Sequence, residues 1–469
     1  MKIDRLAYQS ITDFEPIIQQ SYSVVLDSAD QSHYDTRYTY IGFDPYAVIT
    51  VAGGKVTETF RENNSSNQYD DIDVYFNRVI LKWINNQQKT DTEKLMGGLI
   101  GYMSYESMSC FQDFQAINCS SFSQLPEMIW GVYDRLICID HHQKRCELIV
   151  REDISGISLS KAAFLNQLNG FSNQTKAVKH SRFQLTSSVQ HPNFSEYNKK
   201  VQSILAWIRQ GHTYQVNLSQ RYQAQFSGDP FDLYLQLQQH SPAPYGAYLN
   251  YPSVQICSTS PELLLSKVGS QLTTRPIKGT IKRETNAIAD QKNKEILKQS
   301  HKDRAELTMI IDLVRNDLKR VCQAGTVTVG DLYRLETFSH VHHLVTDVKG
   351  SWDSKSSYWD VISAVFPGGS ITGAPKIRSI ELINTLESVP RYIYTGSIGY
   401  IGFNGDIKLN IAIRTLYAHN KKVYFHSGSG IIADSDPLKE WEELQIKAAG
   451  IYSALMSTPK QKEEYYASR

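Results

Sequence analysis

Between positions 392 and 427 the chain has room for strands but none for crossovers. Three runs of strand-forming residues, 392–403, 407–417 and 421–427, follow one another with three residues between neighbours. A parallel neighbour needs a crossover of roughly a dozen residues or more, so links this short predict antiparallel pairing. The stretch YAVITVAGGKVTETF at 46–60 carries the same signature, its alternation broken by Gly53 and Gly54, which accept the positive φ of a hairpin turn. Further strand-like runs stand at 244–257, 271–281 and 325–335. Between the strands, Ile72, Tyr75, Phe76, Val79, Ile80 and Trp83 recur at helical spacing and predict an amphipathic helix over 70–86 lying on the hairpin's sheet. A second helix is expected after Ser195 as its cap, with Tyr197, Val201, Ile204, Leu205 and Ile208 on its apolar face and Gly211 at its end. A third covers 303–320. The expected fold class is α+β, with layered antiparallel sheets and outer helices, rather than a doubly wound parallel sheet.

At 469 residues, 41% hydrophobic and 21% charged, the chain can bury a large core. Its net charge of +1 gives no reason to expect nucleic acid or an anionic membrane as partner. No apolar run approaches the roughly 18 residues of a membrane span, and MKIDRLAYQS lacks the basic-then-apolar order of a signal peptide, so a cytoplasmic protein is expected. The six cysteines include no CxxC pair, which leaves them as reduced thiols rather than metal ligands. A polar stretch from Gly170 to His191 is the expected boundary between an N-terminal region, 1–190, and a second domain, 191–457, with a polar tail at 458–469.

Several motifs offer chemistry. Asp303 and Glu306 are three apart in one predicted helix and Glu440 and Glu443 three apart in another, where Asp436 is the expected cap and Pro437 suits the first turn. If the two faces meet, four carboxylates crowd one place and call for a hard cation, for which Mg²⁺ fits; if they do not, both are solvated acidic faces. FPGGSITGAPK at 366–376 puts a glycine-rich turn before a helix start, open to an anion or purely structural, and it lacks the spacing of a nucleotide-binding P-loop. In LNIAIRTLYA, alternation places Arg414 beside small residues, free to grip a carboxylate or to reach solvent. SGSGIIADSDP at 427–437 adds amides without bulky side chains. VHHLV should send one of His342 and His343 inward, as a core residue or a catalyst. RPIKGT at 275–280 holds Lys278 between Pro276, whose φ is fixed, and Gly279, whose φ is free; the lysine is either aimed or merely solvated. Taken together, the motifs ask for a ligand with two carboxylates, a magnesium ion and a lysine nearby.

The stretches GGLIGYMSYE, IRQGHTYQVNLSQRY, STSPELLL, TRPIKGT, DRAELTMIIDLVRNDL, VHHLV, FPGGSITGAPK, YTGSIGY, IAIRTL and GSGIIADSDP follow one another along the chain. Together they resemble the chorismate-utilising enzymes, which include aminodeoxychorismate synthase component I (the para-aminobenzoate synthase large subunit), anthranilate synthase component I, and the isochorismate and salicylate synthases. The resemblance implies a sandwich-like sheet core, a chorismate-binding catalytic domain at 191–457 and an N-terminal region like that of anthranilate synthase component I. It implies Mg²⁺ on Glu306 and Glu443, with Asp303 and Glu440 assisting, and substrate contacts from Tyr394, Arg414, Gly428, Ser429, Gly430, Thr372 and Gly373. Glu262 matches the family's general acid and base, and His343 its ring-facing histidine. Gln215 occupies the place where water-using relatives carry a lysine base, which implies ammonia as the nucleophile.

PIKGT is the pattern of the aminodeoxychorismate synthases, where anthranilate synthases carry alanine for the lysine. The resemblance therefore implies a magnesium-dependent transferase that converts chorismate and ammonia to 4-amino-4-deoxychorismate for para-aminobenzoate and folate biosynthesis, through a covalent adduct on Lys278. Ammonia would come from a separate glutaminase subunit, since no GxCxG-type elbow is present. VVLDSAD and TRYTYIGFDP resemble the region where relatives hold tryptophan, with Ser28 the matching contact and an ordinary sheet edge the alternative. The competing expectations are an anthranilate synthase component I and a non-catalytic subunit that binds chorismate or tryptophan.

Overall fold

The computed structural model describes residues 1–28, 36–62, 64–84, 94–111, 125–156, 159–177, 182–338 and 341–456. The expected tail at 458–469 lies outside them. Every strand pair in the three sheets is antiparallel. The first sheet runs Lys2–Leu6, Arg145–Val150, Arg135–Asp140, Tyr38–Gly42, Ser23–Asp27, Tyr245–Tyr251, Val254–Ser260, Thr415–His419, Lys422–Ile431, Gln215–Ser227 and Gln184–Leu185, with Gly373–Ala374 joined to the start of Gln215–Ser227. The second runs Thr328–Val329, Val348–Ser351, Gln271–Arg275, Leu263–Val268, Ile407–Asn410, Ser397–Gly402, Gly98–Met103, Met128–Tyr133, Ala47–Ala52, Lys55–Phe60 and Ser66–Tyr69. A small third sheet joins Ile277–Lys282, Val341–Val345 and Arg334–Thr337. Residues on both sides of position 190 supply strands to each large sheet.

One apolar cluster joins the facing sides of the two large sheets, with Val24, Leu249, Ile256 and Tyr417 from the first against Ile100, Tyr102, Ile129 and Ile398 from the second. Two further clusters cover the outer faces. Helices Phe194–Arg209, Pro230–His240, Lys376–Leu386 and Pro437–Leu455 pack on the first sheet, and His301–Lys319 and Tyr358–Val365 on the second. The antiparallel sheets with outer helices are those that the spacing of strand runs predicts, and their layering is the sandwich-like core that the resemblance implies. Among the described residues no helix is long and apolar enough to cross a membrane.

The hairpin turns at Gly53 and Gly54, with φ of +58° and +78°, as its sequence requires. The helix expected over 70–86, whose positions 85–86 lie outside the described residues, is present over Ile72–Trp83 but is not regular: Ile72–Val74 widens to π geometry over Tyr75–Val79 and tightens to 3₁₀ over Ile80–Trp83. In that geometry the Tyr75 hydroxyl and the Trp83 indole both donate to Glu58 Oε1, at 3.1 and 3.2 Å, so the segment lies on the hairpin. The second helix is capped by Asn193, not Ser195; the Asn193 side chain accepts the Ser195 and Glu196 amides. The polar stretch from Gly170 begins inside helix Lys161–Ala177.

Three of the predicted strand runs, 271–281, 325–335 and 407–417, are broken where the chain changes sheets, and a further change follows the run 244–257, itself a hairpin within the first sheet. Val254–Ser260 lies in the first sheet and Leu263–Val268 in the second, with Pro261 and Glu262 between them. Gln271–Arg275 lies in the second sheet and Ile277–Lys282 in the third, the change falling at Pro276, which cannot donate to a ladder. The run 407–417 is not one alternating strand: Ile407–Asn410 belongs to the second sheet, Thr415–His419 to the first, and Arg414 takes a φ of +50° at the corner. The turn at 392–396 holds this crossing, since the Thr395 amide donates to Ala412 and the Ala412 amide to Gly396.

Arg391 ties the surrounding loops together. It is 1% exposed, donates to both Glu387 oxygens at 2.8 Å, to the Ile371 carbonyl at 3.0 Å and to the Asn217 carbonyl at 2.7 Å, and lies over the Tyr105 ring. Arg391→Met leaves the Glu387 carboxylate buried and unpaired, so unfolding in denaturant should show a loss of about 3–5 kcal/mol; a loss below about 1 kcal/mol would contradict this role.

Candidate active site

Lys278 stands where its strand is irregular. Ile277 and Lys278 pair with Val345 and Leu344, then the register slips at Gly279, which has a φ of +73°. A Cβ on Gly279 would lie 3.0 Å from the Asp303 side chain and 2.9 Å from Leu297, so a glycine lets helix His301–Lys319 pack directly on this bulge. The Lys278 ammonium donates to the Ser370 carbonyl at 3.2 Å and lies 3.9 Å from Glu306 Oε2. Arg275 is turned into an ion pair with Asp347 at 2.6 Å.

Glu262, at the first sheet change, is 3% exposed and accepts the Ile277 amide at 3.3 Å, one residue before Lys278. Burial raises its pKa, against a hydrogen bond from the Ser370 side chain and the charge of Lys278. VHHLV does not send one histidine inward and the other out; both rings are buried, on opposite faces. His342 bonds Asp290 at 2.9 Å and the Thr337 hydroxyl. His343 places Nδ1 3.2 Å from the Gly279 carbonyl and 3.0 Å from the Thr280 hydroxyl, while its buried Nε2 has no partner. A proton on Nδ1 satisfies Gly279 and leaves Nε2 a bare acceptor. Burial, with the Arg414 charge adding to it, holds the His343 pKa down at about 3.

The two acidic helix faces meet. Ser300 caps helix His301–Lys319, and Asp436 caps Pro437–Leu455 by accepting the Leu438 and Lys439 amides, as the sequence predicts. Lys302 of the first helix reaches Glu440 of the second at 3.3 Å, and Glu440 also accepts the Ser435 hydroxyl at 2.7 Å. Burial raises the Glu306 pKa; Lys278 and Lys302 act against it, and Glu443 and Asp303 add to it, so all of these charges share one neighbourhood. Glu443 pairs with Lys447 at 2.7 Å, and that lysine holds its pKa below the usual range. Among the described residues no three acidic, histidine or cysteine side chains converge into a ready cage for a metal ion. What they offer is a pair of carboxylates facing across a cleft, the donor set that suits Mg²⁺, which keeps several waters and takes few protein ligands. Lys302 and Lys447 escape the sequence reading; the i, i+4 spacing of Glu443 and Lys447 is the signal that could have found the second.

The opposite wall suits an anion. The Arg414 guanidinium has no ion pair or hydrogen bond among the described residues, and burial lowers its pKa to about 10. Tyr394, in the turn bonded to the Arg414 crossing, stacks on His426 with centroids 5.2 Å apart. The Asn217 amide donates to Thr372 and the Ser219 amide to Glu387, so Gly430 and Gly428, which face them, exchange no bonds with that strand. Their amides therefore point to the other side, where the neighbouring strand Thr415–His419 pairs only as far as Phe425. Ser429 turns inward to the Tyr197 hydroxyl at 3.0 Å. Thr372 spends its hydroxyl on the Gly368 carbonyl at 2.9 Å, and Gly373 passes so close that a Cβ would lie 2.0 Å from the Gln215 carbonyl. Gln215 is fully buried, yet neither its side-chain nitrogen nor its oxygen has a partner. A Cβ on Gly430 would lie 2.3 Å from that nitrogen and 3.6 Å from the Lys278 ammonium, so the orphan amide and the lysine share one space.

Ser28 lies elsewhere, on a cavity of about 90 Å³ lined also by Asp27, Tyr38, Tyr40, Gly246 and Lys408. Its hydroxyl donates to the Tyr38 carbonyl at 2.8 Å, and Asp27 accepts from Thr39, Tyr234 and Gln238.

Gly430→Ala should displace Gln215 and crowd Lys278 while the sheet survives, lowering turnover about 100-fold with an unchanged melting temperature; full activity would contradict the shared space. His343 stays neutral in the folded chain down to about pH 3, whereas an unfolded histidine takes a proton near 6.5. The unfolded state therefore binds more protons between those values, so stability should fall as pH drops from 6.5. His343→Gln should flatten that fall in acid denaturation curves.

A family model described as chorismate binding enzyme matches residues 22–453. Aminodeoxychorismate synthase component 1 of Bacillus subtilis (strain 168) is 33% identical over 465 residues, covering 95% of this chain and 94% of the relative. Anthranilate synthase component 1 of Neisseria gonorrhoeae is 31% identical over 93% of this chain and 90% of its own. The crystal structure of anthranilate synthase component I from Streptococcus pneumoniae TIGR4 superposes with a TM-score of 0.75 at 28% identity, covering 89% of this chain and 92% of that one. The buried acid beside a cleft lysine, the facing carboxylates and the unpaired arginine thus stand in a chain that belongs to the chorismate-binding enzyme family.

Proposed function

We propose that this chain is the chorismate-processing subunit of an aminodeoxychorismate synthase, making 4-amino-4-deoxychorismate from chorismate and ammonia. The reading rests on one observation above the others: the Lys278 ammonium lies inside the cleft, 3.9 Å from Glu306 and beside the Gln215 amide. Chorismate carries two carboxylates and an allylic hydroxyl at C4. Arg414, with the Tyr394 hydroxyl and the Gly428 and Gly430 amides, would take the enolpyruvyl carboxylate. The ring carboxylate would lie towards the Thr372–Gly373 turn and the acidic helices. Glu306 and Glu443 would hold Mg²⁺ there, with Asp303 and Glu440 in support through waters. Such an ion supplies charge neutralisation and orients the ring.

Lys278, as the free amine, attacks C2. As the new C–N bond forms, the two conjugated ring double bonds each shift by one position and the C4–O bond breaks; its electron pair leaves on oxygen, which takes the Glu262 proton and departs as water. Ammonia then attacks C4, both double bonds shift back, and the electron pair of the C2–N bond returns to Lys278. The extra proton on the new amine restores Glu262. His343, neutral and with a bare Nε2, positions the ring and carries no bond. Gln215 has no basic group to activate water, which leaves ammonia as the nucleophile. The supply of ammonia would come from a glutaminase subunit, consistent with relatives named as component 1. The Ser28 cavity would hold a tryptophan.

Incubation with chorismate, ammonium and Mg²⁺ tests the reading. The expected product is non-fluorescent and yields para-aminobenzoate only after a separate lyase is added; fluorescent anthranilate, with pyruvate released unaided, would reverse it. Glu262→Gln should lower kcat about 100-fold or more with little change in KM for chorismate, and Lys278→Ala should remove most of the activity.

A further inference from the structure

Glu262 faces a second space besides the cleft. A small cavity, with about 20 Å³ for the centre of a water, is bounded by Glu262, Asp317, Thr274, Val314 and Gly368. One water needs about 10–15 Å³ by that measure and two or more polar partners, so the space fits a single molecule. Asp317 is 4% exposed and lies 2.7 Å from the Lys376 ammonium and 3.5 Å from Arg320. Lys376, which follows the glycine turn, points inward to this pair and to the Val365 carbonyl rather than to the cleft.

We propose that this cavity binds one water that donates one hydrogen to Asp317 and the other to Glu262, so that Asp317 acts as a positioning residue for the catalytic acid. This rests on the role given to Glu262 above. A carboxylate paired with an ammonium only accepts, so a water between the two acids must donate to Asp317, and its second hydrogen can go to Glu262, beside the Ser370 hydroxyl that lines the same cavity. The Glu262 oxygen on the cavity side is then an acceptor, and its acid proton is kept on the oxygen turned to the substrate. Without Asp317, Glu262 can donate into the cavity, and its proton faces away from the departing hydroxyl. Burial raises the Asp317 pKa, and the Lys376 ammonium at 2.7 Å acts against it and favours the accepting form. Asp317 touches no substrate and acts only through the water.

Two measurements test this on the full chain. A crystal structure resolving waters should show one ordered water within about 3.2 Å of both carboxyl groups; an empty cavity, or a water bonded to only one of them, overturns the proposal. In steady-state kinetics with chorismate and ammonium, Asp317→Asn, which offers the water a donor, should lower kcat about tenfold while KM for chorismate stays within about twofold. Because that variant strands the Lys376 charge, the pair Asp317→Asn with Lys376→Met serves beside it and should show the same loss at a near-normal melting temperature. Wild-type kcat in the folded pair overturns the proposal. A wild-type chain inactive on chorismate would refute the reaction proposed above, and the crystallographic arm would still decide the water.

Discussion

The site depends on the chain changing sheets at three corners. A strand inside a sheet has both edges occupied, and its side chains face a packed layer; at a corner the backbone leaves the ladder and its residues face the gap between layers. Glu262 lies between Ser260 and Leu263, Lys278 lies just past Pro276, and Arg414 lies just before Thr415. Each position lies at or just past a change from one sheet to another. The acid, the amine and the guanidinium come from residues up to about 150 apart in sequence, and these crossings bring them to one cleft. Pro261, Pro276 and the positive φ of Arg414 are the local devices at these corners, and the positive φ of Gly279 marks the bulge beside Lys278.

The second organising feature is charge left without an internal answer. Buried polar groups are almost always paired, and an unpaired one costs roughly 1–3 kcal/mol. Here, among the described residues, the Gln215 amide and His343 Nε2 are buried without partners, and Arg414 has no carboxylate. A fold of this size tolerates such costs where a ligand supplies the missing half. The carboxylates across the cleft are treated differently: Lys278, Lys302 and Lys447 stand among them, so ammonium groups of the chain itself answer the acidic helix faces.

Much of this was legible in the residues. Short links between strand runs dictate antiparallel layers, and the paired glycines of the hairpin, the Asp436 cap and the acidic helix faces all appear in the places their physics requires. What was not legible is where a strand stops belonging to its sheet. The run from Leu409 to Ala418 alternates as a continuous strand would, yet the crossing at 411–414 divides it, because alternation reports local facing and not which neighbour is on the other edge. The two histidines show the same limit: alternation separates their faces, but the Asp290 side of the small sheet is buried as deeply as the cleft side, so both rings are inside. Asn193 displaced Ser195 as a cap because either residue can accept amides, and the chain enters that helix two residues earlier than its apolar spacing indicates. Lys302 and Lys447 read as solvent-facing helix cations until the second helix is brought against the first.

The central claim is that the amine in the cleft is a nucleophile and not a counter-ion for Glu306. Incubating the chain with chorismate and Mg²⁺ but no ammonia, quenching in acid and mapping peptides by mass spectrometry addresses it directly. The account requires the peptide carrying Lys278 to gain the mass of chorismate less one water, and to lose it again when ammonium is added before the quench. An unmodified Lys278 in a preparation that turns over chorismate, or the same mass on a different lysine, would contradict it.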